Sequence, residues 1–294
     1  MKEWLAANRN NAGEDSRKGN QQMSLYVPTD GHVIPAATRS LISDRYHTLT
    51  KAINRELWNQ TSDSAHSFYV GSYGRGTAIN TSDLDILVEV PSNFYVQYSY
   101  TTYNPQSRLL QVVKNALLTS WPKSDIRGDG QVVVVDFSDG MKFEVLPAIP
   151  QTDPWGRVTY KYPDTHMGGN WKSTNPKAEQ DAMREKNRTS NGLLFDTCKH
   201  IRFIRDNNYS SYHLSGIVID SFVYVAMGNW RHLNSGEGGG APAGSYEEVL
   251  LKYWNDATWN GRYAFQLKAP GSGMDVDTSG DVECLGKVLK KMVD

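Results

Sequence analysis

Hydrophobic residues first fall into register at Ile42, Tyr46, Leu49, Ile53 and Leu57, spaced by 4, 3, 4 and 4. That spacing keeps one apolar stripe on a 3.6-residue turn and predicts a long amphipathic helix over 35–59. Polar Gln60 to His66 ends it. Ser67 to Val70 reads as a short strand, 71–82 as a loop of small residues, and Leu84 to Val90 as a second strand closed by Pro91. Another helix is expected over 107–120. Gln131 to Phe137 and Met141 to Ala148 then pair as a hairpin around Asp139-Gly140, a dipeptide suited to turns that need positive φ.

Residues 150–175 mix Gly, Pro and Trp without periodicity and read as the crossing between two lobes. Beyond it, Leu194, Cys198, Ile201 and Ile204 mark one helix and 214–227 another. The second is the longest apolar run; Asp220 and Ser221 interrupt it, so it reads as a buried core helix. A glycine-rich loop follows over 234–244, and Ser245-Tyr246-Glu247-Glu248 has the form of a capping box opening a further helix. The pattern predicts an α+β architecture without repeats. A polar arm over 1–22 precedes an α+β lobe over 23–165 and a helical lobe over 166–294, with a cleft between the lobes.

Composition narrows the classes. A length of 294 residues suits two packed lobes, and 8 Trp, 16 Tyr and 8 Phe exclude a disordered chain. No apolar stretch approaches the roughly 18–20 residues of a membrane helix, so no membrane association is expected. The start, Met1-Lys2-Glu3-Trp4, lacks a signal-peptide pattern. Two cysteines, Cys198 and Cys284, with no CxxC pair, argue against a disulfide framework or a thiolate zinc site and point to a reducing, cytoplasmic setting. Thirty-one basic against 32 acidic residues give a net charge of −1, without the basic excess of a dedicated nucleic-acid binder.

The chemistry concentrates in Val70-Gly71-Ser72-Tyr73-Gly74-Arg75-Gly76 and the acidic strand after it. Three glycines in six residues free backbone amides to approach a phosphate. Eleven residues beyond Ser72 (83 − 72) comes Asp83-Leu84-Asp85 at the start of an apolar strand. Residues i and i+2 of a strand share a face, so the two carboxylates lie together. Unpaired they repel, and burying either is costly; a hard divalent cation between them and a phosphate resolves the conflict. A glycine-rich turn alone is usually a loop, and a DxD alone is usually solvated surface. Their conjunction at this spacing favours function.

Those residues resemble the signature of polymerase β-type nucleotidyltransferases. The likeness extends to the branch holding oligoadenylate synthetase, cyclic GMP-AMP synthase and the bacterial CD-NTases. Phe143-Glu144-Val145-Leu146-Pro147-Ala148 resembles the strand bearing the third metal-binding carboxylate, Ser173-Thr174-Asn175-Pro176 the start of the lobe crossing, and Ser210-Ser211-Tyr212-His213-Leu214 a stretch whose second Ser and Tyr touch the donor nucleotide. The resemblance spans about 35–230. It implies a catalytic lobe built on a mixed sheet and two Mg²⁺ (or Mn²⁺) ions held by Asp83, Asp85 and Glu144. It also implies NTP substrates such as ATP and GTP, whose phosphates Gly71 and Ser72 hold, and donor contacts from Ser211 and Tyr212. The product implied is a cyclic di- or trinucleotide second messenger in bacterial anti-phage signalling, with regulatory or effector proteins of the same system as partners.

Two departures stand out. The family usually has Asp where this chain has Glu144, and the phosphate-binding Lys of relatives is replaced here by Arg202 or Arg205, with Lys199 three residues further back. Any of the three cations could take a triphosphate, or they could form a solvated helix face. Arg75 could contact a phosphate or simply cover the cleft edge. His66, His166 and His232 show no metal-ligand spacing, and Gly236 to Gly240 lacks GK[ST]. The missing Cys/His cluster argues against the zinc-bearing DNA sensor of cyclic GMP-AMP synthase, hence against a double-stranded nucleic acid activator. A linear oligonucleotide synthase, an NMP transferase to RNA, protein or a small molecule, and a catalytically dead nucleotide-binding scaffold remain as rivals.

Asp136 competes with Glu144 as third ligand. If Asp139 and Gly140 are the two turn residues, paired positions sum to 279, Glu144 opposes Val135, and Asp136 projects from the other face. On that reading Glu144 faces the cleft.

Overall fold

The computed structural model describes residues 33–79, 83–101 and 103–294. The polar arm expected over 1–22 lies outside the described residues. Helix α1, Ala36–Trp58, forms where the apolar stripe predicts it. Ile42, Leu49 and Ile53 are buried, with Tyr46 and Leu57 packed beside them. It ends at Asn59, whose φ of 51° is the left-handed conformation that closes helices and that Asn tolerates.

Among the described residues seven strands form one mixed sheet: β1 (Ser67–Tyr69), β2 (Asp83–Glu89), β3 (Asp125–Asp129), β4 (Val132–Asp136), β5 (Lys142–Thr152), β6 (Val158–Asp164) and β7 (Asn170–Thr174). Their order is β1-β2-β5-β4-β3, and β6 pairs with the far end of β5 and with β7. Among the described strands only β2 and β5 run parallel. Between them the chain makes α3 (Ser92–Thr101), α4 (Pro105–Leu118), β3 and β4, the long crossover a parallel pair requires. Alternation along the strands sends Leu84, Ile86 and Val88, with Val133, Val135, Phe143 and Val145, into one core shared with α1 and α4. Asp83, Asp85 and Glu144 are left on the opposite face.

The remaining helices, α5 (Pro176–Thr189), α6 (Leu193–Asn208), α7 (Gly216–Ala226), α8 (Ser245–Thr258) and α9 (Val282–Val293), build a separate core around Met183, Cys198, Ile201, Phe222, Trp254 and Leu285. A small β8–β9 ladder, Leu267–Lys268 with Asp275–Val276, sits between the last two. Among the described residues no helix is long and apolar enough to cross a membrane.

Several expectations change. The loop expected from residue 71 opens as a single helical turn, α2, Gly71–Gly74. Residues 150–175 hold β6 and β7, so the sheet continues past residue 165 into the segment expected to open the helical lobe. The capping box does not form: Gly244, at φ 84°, takes the N-cap position, Ser245 is already helical, and no side chain caps the helix. Finally, the β4–β5 hairpin encloses three residues rather than two. Phe137 N donates to Met141 O, Gly140 N donates to Phe137 O, and pairs such as Val134↔Glu144 and Asp136↔Lys142 sum to 278. Asp136 and Glu144 therefore share a face, which overturns the opposite-face argument.

Gly286 shows how tightly the helical lobe is packed. A Cβ there would lie 2.3 Å from the Trp254 ring. Gly286→Ala would gain about 1 kcal/mol of helix propensity, yet overpacking typically costs about 1–3 kcal/mol. Backing up a fully packed indole wins that comparison, so Gly286→Ala is expected to lower the urea unfolding midpoint, as measured by circular dichroism. A raised midpoint would mean the ring shifts freely.

Candidate active site

Parallel pairing places Asp83 opposite Lys142 and Asp85 opposite Glu144. Directly paired residues share a face, so three carboxylates and one ammonium occupy the corners of a square. Lys142 Nζ lies 2.8 Å from Asp83 Oδ1 and 2.8 Å from Glu144 Oε1. Asp85 is the most enclosed acid: burial first, then the nearby Glu144 charge, push its carboxyl up from 3.8 to about 6.

Turn α2 comes against this square because Val70 N donates to Asp85 O at 2.8 Å, fastening the end of β1 to β2. Gly71 follows at φ 57°, and a Cβ on it would fall 1.9 Å from Asp85 Oδ2. Only glycine lets the backbone pass this close to the carboxylate. Ser72 and Gly71 line the resulting cleft of about 650 Å³ together with Asp83, Asp85 and Glu144, the size of a small-molecule site. The far wall comes from the helical lobe, including Arg205, Asp206 and Gly216.

A buried ion network holds the walls together. Asp220, fully buried in α7, accepts from Arg75 Nε at 2.7 Å and Arg202 Nη1 at 2.7 Å, and from Thr77 Oγ1 at 3.0 Å. Arg75 also reaches Glu179 of α5 at 3.3 Å. Removing one partner from such a set strands a buried charge, typically costing about 3–5 kcal/mol. Arg75 and Arg202 border the cleft, but their guanidiniums are committed to this network. Through it they fix the position of the glycine turn against the helical lobe while still lining the cleft.

The other expected contacts separate. Arg205 Nη1 donates to Leu214 O at 2.8 Å while its side chain stays partly open to the cleft. Lys199 lies in a different groove, beside Arg39, Tyr73 and Gly76. Ser211 and Tyr212 are not among the residues lining the cleft; Tyr212 is exposed, with Lys287 Nζ 4.8 Å over its ring. Asp136, in the same sheet row as Lys142, turns its carboxylate to Arg127 instead. Two residues escaped the sequence reading. Asp220 was signalled by an acid inside an apolar helix, which must find partners. Lys142 was signalled by its place two residues before Glu144, on the same strand face.

Three carboxylates are the donor type that Mg²⁺ or Mn²⁺ selects. Among the described residues no three acidic, His or Cys side chains are drawn together as metal ligands. The Lys142 ammonium holds Asp83 and Glu144 on either side of itself. A positive charge thus already stands between two of the acids, and the three carboxylates fit a divalent ion in the chemistry of their donors.

This architecture, a mixed sheet with paired acids beside a glycine turn and a helical lobe across a cleft, is that of polymerase β-type nucleotidyltransferases. Residues 31–187, just over half of the chain, match the Second Messenger Oligonucleotide or Dinucleotide Synthetase domain (SMODS), and the chain belongs to this CD-NTase family. A "Probable cyclic nucleotide synthase" of Bacillus cereus (strain VD146) is 26% identical over 122 residues, covering 39% of this chain and 36% of the relative. The match thus takes in little more than a third of that protein. Among solved structures, Elizabethkingia meningoseptica CdnE cyclic dinucleotide synthase with GTP and Apcpp aligns at TM-score 0.58 and 14% identity, over 92% of this chain and 94% of that one. Bradyrhizobium diazoefficiens CD-NTase CdnG in complex with GTP aligns at 0.61 and 13%, over 90% and 86%. The CdnC:HORMA-deltaN complex of E. coli MS115-1 gives 0.57 and 13%, over 87% and 84%. At these identities the structures attest the fold.

The Asp85 shift sets a pH dependence. Between pH 3.8 and about 6 the folded protein retains a proton that the unfolded chain has released. Stability therefore falls as pH rises through that window. In EDTA, Asp85→Asn is expected to flatten this part of the melting-temperature profile and to melt above the wild type at pH 7. A wild-type profile without that decline would contradict the burial of Asp85.

Proposed function

We propose that the protein joins NTPs into a cyclic di- or trinucleotide, releasing pyrophosphate, and serves as a second-messenger synthase in anti-phage signalling. The observation that carries the reading is the convergence of Asp83, Asp85 and Glu144 on paired parallel strands beside Gly71 and Ser72. In each step a ribose hydroxyl oxygen bonds to the α-phosphorus of a second nucleotide. The α–β phosphoanhydride bond breaks, pyrophosphate leaves with the electron pair, and the hydroxyl proton passes to water; the second such step closes a dinucleotide ring and the third a trinucleotide ring. When bound by the three carboxylates, two divalent ions supply charge stabilisation to the entering and leaving oxygens.

The chain's own groups position the substrates. Ser72 and the backbone at Gly71 offer donors to the β- and γ-phosphates, and Arg205 approaches from the helical wall. The base meets Tyr162 of β6, which lines the cleft; Tyr212 as donor-base platform rests on the family resemblance alone. GTP and ATP analogues in the related structures support NTP substrates, and the HORMA complex of a relative supports a regulatory protein partner.

Incubation with mixed NTPs and Mg²⁺ or Mn²⁺, followed by phosphatase and mass analysis, tests the reading. A phosphatase-resistant cyclic product is expected, absent from Asp83→Ala, Asp85→Ala and Glu144→Gln. Asp136→Asn is expected to retain it. A phosphatase-labile product would indicate a linear synthase, a nucleotide attached to an acceptor an NMP transferase, and no turnover a scaffold.

A further inference from the structure

The square on β2 and β5 holds one side chain that a divalent-ion site does not call for. Lys142 is the strand neighbour of Asp83 and shares its face with Glu144. Its ammonium bridges both acids at 2.8 Å, while Asp85, diagonal to it, has no hydrogen bond to the lysine. The side chain is partly buried, at 28% exposure, so the ammonium is held by its two partners rather than by solvent. Mg²⁺ sits about 2.0–2.1 Å from its oxygen ligands. An ion taking the same two oxygens would press against the ammonium, two positive charges at contact distance.

We propose that Lys142 is a built-in occupant of the cation site: it neutralises Asp83 and Glu144 in the metal-free protein and must swing out for a divalent ion to bind. This rests on the metal-binding role proposed for the three carboxylates. The lysine keeps like charges together without an ion, so the site stays assembled rather than splaying open. It also raises the threshold for loading by free metal. A triphosphate arriving with its ion gives the displaced ammonium another anion, which ties metal loading to nucleotide entry.

The test is Mn²⁺ titration of the nucleotide-free full chain, read by electron paramagnetic resonance, for wild type, Lys142→Gln, Lys142→Arg and Asp85→Asn. Lys142→Gln is expected to bind Mn²⁺ at least tenfold more tightly. It should also melt lower in EDTA and recover with Mn²⁺. Lys142→Arg, which keeps the charge, should bind close to wild type. Affinity of Lys142→Gln equal to or below wild type, with Asp85→Asn binding lost, would overturn the lysine's role alone. Undiminished binding by Asp85→Asn would overturn the metal site itself.

Discussion

Parallel pairing of β2 with β5 brings three carboxylates and one ammonium, distant in sequence, onto one face. Asp85 and Glu144 stand side by side, and Asp83 stands beside Lys142. Besides the Lys142 bridge, such a group is held because its opposite strand faces bury Leu84, Ile86, Phe143 and Val145, all fully enclosed. That burial holds the strands in register against the repulsion. Each fully buried side chain of this size contributes about 1.5–3 kcal/mol. A one-residue slip would drive these acids into the core and the apolar residues out. The charged face is thus fixed by the apolar one behind it.

Around that row the fold supplies approach and closure. Gly71 lets backbone run against Asp85, and the Arg75–Asp220–Arg202 network ties the glycine turn to α6 and α7. The same arginines that sequence suggests for phosphate binding also hold the geometry of the turn. The cleft gets its shape from buried charge pairs, while Ser72 and the partly exposed Arg205, itself paired with Asp206, line its walls.

Much of this was legible in the chain. The stripe from Ile42 to Leu57 gave α1, the glycine turn and DxD gave the acidic strand, and alternation gave β4 and β5. Other parts were hidden by local signals that tertiary structure overrode. Aromatic-rich Ser92–Thr101 has strand-like composition yet is helical, packing Phe94 and Tyr95 on the sheet's core. Val158-Thr159-Tyr160-Lys161-Tyr162 carries a strand pattern that surrounding Gly and Pro obscured. The hairpin was misregistered by one residue because a three-residue turn with Gly140 at φ 86° fits Asp-Gly as well as a two-residue one. Asp136 is set apart from Glu144 by its pairing with Arg127, not by its face. That pairing is a contact between side chains, which turn chemistry alone does not disclose.

On the proposed function, Asp83, Asp85 and Glu144 act together on a divalent ion. Anomalous diffraction from crystals grown with Mn²⁺ and a non-hydrolysable NTP examines it most directly. Manganese peaks are expected with oxygens of all three residues about 2.0–2.6 Å away, and Lys142 drawn off Asp83 and Glu144. Manganese ligated by Asp136 with Glu144 turned aside, or no peak in the cleft beside bound nucleotide, would contradict it.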